Sequence, residues 1–221
     1  MKYKNILTIE TSLGRIFLSI LRDNTFFSKL IDAPRSIEED INKLLDDLIN
    51  EAKIKFNDID FILVSLGPGS FTGIRIGISA AKALSLSTGA KIIGYSNFDS
   101  ILYQFLESKK NKNHKDIEVL IKGPGNQFYK KIFDSNNKNK DNQMITEKEL
   151  KESNYKDKMI KVGNFLNTLK IKNYYLCIPG CLGIKSIIKK NEKNLESYEY
   201  KELEPIYIKE HYAKKYDKKN I

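Results

Sequence analysis

Between an apolar run, Phe61-Ile-Leu-Val64, and a helix-like stretch the chain concentrates small residues in Gly67-Pro-Gly-Ser-Phe-Thr-Gly73. A loop placed so can turn backbone N–H groups and the positive end of a helix toward a phosphate. Three enzyme motifs can be tried on it. A P-loop needs Gly-Lys at its end, and Ile74 stands where the lysine would follow Gly73. A Rossmann fingerprint has Thr72 in its third glycine's place, and the next strand runs out at Gly94-Tyr-Ser-Asn97 without an acid for a ribose. A hydrolase elbow has Pro68 and Thr72 where its glycines should flank Ser70. None fits.

Metal chemistry finds no better footing. His114 and His211 are far apart among charged or aromatic neighbours, so no histidine pair can seat a metal on one helix face, and both read as surface residues. Cys177 and Cys181 are spaced C-x-x-x-C, unlike zinc or redox pairs, and read as reduced thiols, one in a strand and one just after it. The sequence therefore predicts neither a catalytic residue nor a metal ligand set.

The net charge of +10 lies wholly beyond residue 100, because the first hundred residues balance. Most of that surplus is lysine mixed with asparagine, as in Lys109-Lys-Asn-Lys-Asn-His114, with few aromatics between. Solvated loops explain this better than direct RNA contact. At 41% hydrophobic and 30% charged the chain is globular in composition. No apolar run approaches the roughly 20 residues of a membrane span. The start leads into a strand without a secretory core, which predicts a cytoplasmic protein.

The elements that position these residues follow from periodicity. Strands are expected over 5–10, 15–21 and 25–31 as a meander. Ser36 with Glu39 forms a capping box, and Ile37, Ile41, Leu44, Leu45, Leu48, Ile49 and Ala52 keep a helical period behind it. Strand 61–64 and helix 72–87 enclose the small-residue loop; strand 91–95 and helix 98–106 follow. From Asp116 a similar order begins again, with strands over 117–121 and 127–133, an edge strand near Met144 and a helix around 146–151. A strand over 160–162, a helix over 164–169 capped by Asn164 and a strand over 174–178 complete it. The pattern predicts two lobes, each a mixed sheet flanked by helices: 1–108, and a smaller, basic 109–221.

In the helix after the loop, Gly73, Gly77, Ala81 and Ser85 recur every fourth position and share a face, bordered by Ala80 and Leu84. Glycine inside a helix costs about 1 kcal/mol relative to alanine, so Gly77 implies a close approach. Two readings stand side by side. The face packs on the chain's own sheet, or it stays open for a helix of a partner while Ile74, Ile78 and Leu86 serve the core.

The stretch Leu66-Gly-Pro-Gly-Ser-Phe-Thr-Gly-Ile-Arg-Ile-Gly77 resembles the signature of the bacterial TsaB (YeaZ) family. Ile9-Glu10-Thr11-Ser12 resembles that family's start, and Glu204-Pro-Ile-Tyr-Ile-Lys209 its end. The resemblance implies a two-lobed actin-like ATPase fold (ASKHA, ribonuclease H-like). It also implies a non-catalytic part in making N6-threonylcarbamoyladenosine at position 37 of tRNA. In that system a TsaD-like subunit carries the metal and the transfer chemistry, a TsaE-like ATPase engages the pair, and tRNA is met indirectly. Gly73, Ile74, Arg75, Gly77, Ile78, Ala80, Ala81, Leu84 and Ser85 would then form the heterodimer contact, together with the helix after Ser36, and a homodimer would form in isolation.

The actin-like fold would place Glu10, Thr11 and Ser12, with Gly123 and Gly125, around a nucleotide at the lobe or subunit interface. Glu10 stands where the family has aspartate, Ile37 lies near the family's first-helix histidine, and Lys122 and Pro124 replace the second turn's acid and arginine. A lysine meets a phosphate but cannot coordinate a cation, which argues against ATP hydrolysis and leaves no firm cofactor. The alternatives are an ATPase or kinase-like enzyme of the same fold and, with less support, an M22-type peptidase.

Overall fold

The first strand has no polar face to give to water. Asn5–Glu10 (β1) is buried at every residue, and Arg15–Arg22 (β2) is buried as far as Leu21. Thr25–Asp32 (β3) alternates between exposed and half-buried, as an edge strand must. The computed structural model describes residues 5–108, 116–134, 142–153, 159–192 and 202–208. Histidines 114 and 211, Lys209 and the lysine–asparagine stretches at 109–115 and 136–140 lie outside them.

Phe61–Ser65 (β4) and Lys91–Tyr95 (β5) extend the first sheet in the order β3-β2-β1-β4-β5, antiparallel through the meander and parallel from β1 onward. Ile37–Ala52 (α1) and Phe71–Thr88 (α2) cover one face, setting Ile41, Leu48, Ile74 and Ala81 against Leu7, Ile9, Leu18 and Val64. The second sheet repeats this plan. Ile117–Lys122 (β6), Gln127–Phe133 (β7), Gln143–Thr146 (β8), Ile160–Gly163 (β9) and Tyr174–Leu176 (β10) run in the order β10-β9-β6-β7-β8, with the same two antiparallel and two parallel pairings. The duplicated order read from the sequence is thus a duplicated topology.

Two of the remaining helices cross between the sheets. Asn97–Ser108 (α3) packs Phe98, Ile101, Leu102 and Phe105 on the second sheet's Val119, Ile121 and Val162. Cys181–Lys190 (α5) returns to pack Ile184, Ile187 and Ile188 on the first sheet's Ile6, Phe17, Phe61 and Leu63. Glu147–Ser153 (α4) follows β8, where Thr146 and Glu149 form a reciprocal capping box (2.7 and 3.3 Å).

The box expected at Ser36 contributes its serine half: Ser36 Oγ accepts from the Glu39 N–H at 3.2 Å. Ser36→Ala is expected to cost about 1 kcal/mol, read from the urea midpoint.

Sequence expectations fail at three places. The strand expected over 174–178 ends at Leu176, so Cys177 lies just past it and Cys181 opens α5. No helix forms over 164–169, because local side chains take the backbone's partners. Asn164 Oδ1 accepts from Lys122 N–H (3.1 Å) instead of capping, and the Asn167 amide brackets both backbone groups of Ile171 (2.7 and 2.9 Å). The Tyr174 hydroxyl donates to Phe165 O at 2.6 Å. Conversely, α5 was not anticipated from Gly180-Cys-Leu-Gly183. Its first turn is satisfied from another helix, with Gln104 Oε1 accepting from Gly180 N–H (3.0 Å) and Gly183 N–H (2.9 Å).

Candidate functional site

The turn after β1 is built around one carboxylate. Glu10 is 1% exposed, and its Oε1 accepts from Ser12 N–H (2.6 Å), Ser12 Oγ–H (3.0 Å) and Leu13 N–H (3.0 Å). Its Oε2 takes Arg15 Nε–H at 3.0 Å, and the same guanidinium reaches Pro179 O at 2.5 Å, just ahead of α5. Asn97, fully buried at the start of α3, joins this turn to the small-residue loop. Its Nδ2 donates to Ser12 Oγ (2.7 Å) and Pro68 O (2.9 Å), and its Oδ1 accepts from Ser65 Oγ–H (2.8 Å). Burial first, and the Glu10 charge next, raise the Tyr95 phenol well above its ordinary range.

The donors expected to meet a nucleotide's phosphates are in use within the chain. The backbone donors of Ser12 and Leu13, which an actin-like fold would offer to phosphate, are already held by the chain's own carboxylate. In the second turn Pro124 has no N–H, Gly123 N–H donates to Gln127 O (2.9 Å), and Gln127 N–H donates to Pro124 O (3.1 Å). The Lys122 ammonium lies over the Phe128 ring, 4.4 Å from its centroid. Gly123 and Gly125 therefore shape the hairpin turn, and Gly125 does so with φ +55°.

The small-residue face of α2 lies against the chain's own first sheet. A Cβ on Gly73 would stand 2.1 Å from Thr11 O, and one on Gly77 would stand 2.6 Å from Thr11 Oγ1. Thr11 Oγ1 donates to Gly73 O at 2.6 Å, locking strand turn and helix together. Ala81 is fully buried, and Ser85 Oγ donates to Ala90 O (2.6 Å). The expectation of an open small face is corrected: Gly73, Ile74, Gly77, Ile78 and Ala81 are all buried in the chain's own core. Of the other residues assigned to docking, Arg75 is exposed and Ala80, Leu84 and Ser85 are half-buried. Thr72, Arg75, Ser79, Ala83 and Leu86 form the outward stripe, and Leu86 is 89% exposed.

At its N-terminal end α2 meets a cleft of about 310 Å³ lined by Gly69, Phe71, Ile74, Tyr129, Ile206, Tyr207 and Ile208. Tyr207 packs on Phe71 with centroids 5.0 Å apart, and the Arg75 guanidinium lies 3.8 Å from the Phe71 centroid. Burial raises the phenol of Tyr129, which also lines the cleft.

Among the described residues no three His, Cys, Asp or Glu side chains meet in a metal-binding group. Burial raises the Cys177 thiol to about 11 and pushes Cys181 up as well, which keeps both protonated near neutral pH. Sequence reasoning passed over Arg15, Asn97, Ser65 and Tyr207. For Arg15 there was a usable signal: it opens the apolar stretch 15–21, where a buried cation needs a nearby acid.

Comparison with known proteins places the chain. The family model described as TsaD, tRNA N6-adenosine threonylcarbamoyltransferase, matches residues 32–144, just over half of it. The TsaB protein of Buchnera aphidicola subsp. Schizaphis graminum is 33% identical over 124 residues, 56% of this chain and 58% of that protein. That match spans less than two thirds of the relative's length. The TsaB protein of Buchnera aphidicola subsp. Acyrthosiphon pisum is 26% identical over 203 residues, 86% of this chain and 90% of that one. The chain belongs to the TsaD-like family, in its TsaB (YeaZ) branch. The fold agrees: YeaZ from Pseudomonas aeruginosa superposes with a TM-score of 0.72 at 15% identity, covering 93% of this chain and 100% of that structure. The TsaB-branch assignment and the doubled mixed sheet together make this an actin-like, two-lobed α/β protein. No helix among the described residues is long and apolar enough to cross a membrane.

Proposed function

We propose that the chain serves tRNA N6-threonylcarbamoyladenosine synthesis as a non-catalytic subunit that docks on a TsaD-like catalytic partner. The observation that carries the non-catalytic part is Glu10, whose carboxylate occupies the donors a phosphate would use. The pathway rests on the similarity to TsaB proteins over most of the chain. A TsaE-like ATPase would join the pair, and tRNA would be met through the partner.

The docking surface proposed is the outward side of α2, not the face packed on the sheet. Ser79, Ala83 and Leu86 are exposed there beside half-buried Ile76, Ala80 and Leu84, a shallow strip that admits another helix. In isolation a second copy would cover the same strip.

Ala83→Arg is the test, because position 83 faces solvent and the substitution leaves the core untouched. The variant is expected to melt as the parent does. It should bind the TsaD-like subunit about 30-fold more weakly in titration calorimetry, and cells carrying it should lose the modified nucleoside from tRNA. Unchanged affinity together with unchanged modification would overturn the assignment.

A further inference from the structure

The segment 202–208 makes contacts that neither the TsaB likeness nor the docking surface explains. Leu203 is 7% exposed and belongs to the core between α1, α2 and the first sheet. Three residues later Ile206 N–H donates to Leu66 O at 2.7 Å, at the exit of β4. Leu66 N–H is in turn held by Tyr95 O (2.8 Å), so this bond extends the hydrogen bonding at the end of the first sheet. Tyr207 packs on Phe71, and its hydroxyl accepts from Arg75 Nε–H at 3.4 Å. Ile208 packs against the other core, between α3 and the second sheet. Within six residues the chain passes from one core to the other, and Ile206, Tyr207 and Ile208 line the cleft on the way.

We infer that residues 203–208 are a strap that holds the two lobes together, and that its release opens the cleft lined by Phe71, Ile74 and Tyr129. The physical basis is the division of anchors. Leu203 fixes one end in the first lobe, Ile208 the other end in the second, and one backbone bond, one ring contact and the Arg75–Tyr207 hydrogen bond hold the middle. Such a segment opens without unfolding either core, because local opening is governed by the few contacts it breaks. It also fixes the first turn of α2, since Phe71 and Arg75 are its mid-span partners. The inference does not depend on which partner meets α2.

Hydrogen exchange on the full chain tests it. Ile206→Pro deletes the donor to Leu66, and Ile208→Asp removes the second-lobe anchor by burying a charge. In each variant, amides of 66–75 and of the Tyr129 strand are expected to exchange about tenfold faster, while those of β1 and α1 keep their protection. Tyr207→Ala should give a smaller rise confined to 66–75. Unchanged exchange at 66–75 in both anchor variants would overturn the strap. So would a uniform rise through β1 and α1, since the segment would then be part of one indivisible core.

Discussion

Glu10→Gln is expected to lower the unfolding free energy by about 3–5 kcal/mol, the range for removing one member of a buried, hydrogen-bonded ion pair. The reasons can be counted at the atoms. Arg15 is 5% exposed and loses its counter-charge while still bound to Pro179 O. Of the two new amide atoms, only the oxygen can accept, so either Arg15 Nε–H or both Ser12 N–H and Leu13 N–H are left facing an N–H. Urea denaturation with and without Mg-ATP separates this from a nucleotide role. The parent midpoint should not move with the nucleotide, and the variant midpoint should fall in both conditions. A Glu10→Gln protein as stable as the parent, with an ATP-dependent midpoint in the parent alone, would restore the nucleotide-site reading.

Gly73→Ala should be nearly as damaging, which inverts the usual rule. In an exposed helix interior that change gains about 1 kcal/mol. Here the added methyl would stand 2.1 Å from Thr11 O and 2.9 Å from Thr11 C, backbone atoms fixed by the first sheet. Either the helix or the β1–β2 turn must move, and a loss of about 3 kcal/mol or more is expected from the thermal midpoint and the calorimetric enthalpy. A neutral or stabilised Gly73→Ala protein would show that the helix stands off the sheet. Gly77→Leu belongs with it, since its Cβ would press on Thr11 Oγ1 at 2.6 Å. Bulky residues at 73 or 77 therefore report on folding, and loss of a partner in such variants says nothing about the interface. Position 83 makes that distinction.

The order of strands and helices along the chain was legible because it is written in apolar runs and periods. The apolar runs of β1, β2, β4 and β6 are buried on both faces, and the more polar β3 lies at the edge. The spacing of Gly73 and Gly77 correctly signalled a close approach. What it could not say was from which side, because a helix face has the same period whether it meets its own sheet or another protein. The same limit hid α5. Its N-terminal donors are satisfied by Gln104, which lies 76 and 79 residues earlier in the chain, and no local signal records such a partner. Asn164 erred in the opposite direction, offering a cap in sequence that a neighbouring strand claims in space. One of the two lysines that pair with Glu118 was also invisible. Lys161 is fully buried with its ammonium 3.8 Å from that carboxylate, and only the parallel register of β6 with β9 brings them together.

The crossing of α3 and α5 has a consequence for how the molecule is acquired in the first place. The stretch up to residue 108 contains a complete five-stranded sheet, yet its last helix spends Phe98, Ile101, Leu102 and Phe105 on the other sheet. Translated alone, that stretch would end in an apolar helix with nothing to cover it, above a sheet whose second face still awaits Ile184, Ile187 and Ile188. The guanidinium of Arg15 waits even longer, for a carbonyl 164 residues downstream. Non-local closures of this kind slow folding, because the loop must be closed before its contacts stabilise anything. The two sheets share one plan, but the exchanged helices tie the folding of each to the other.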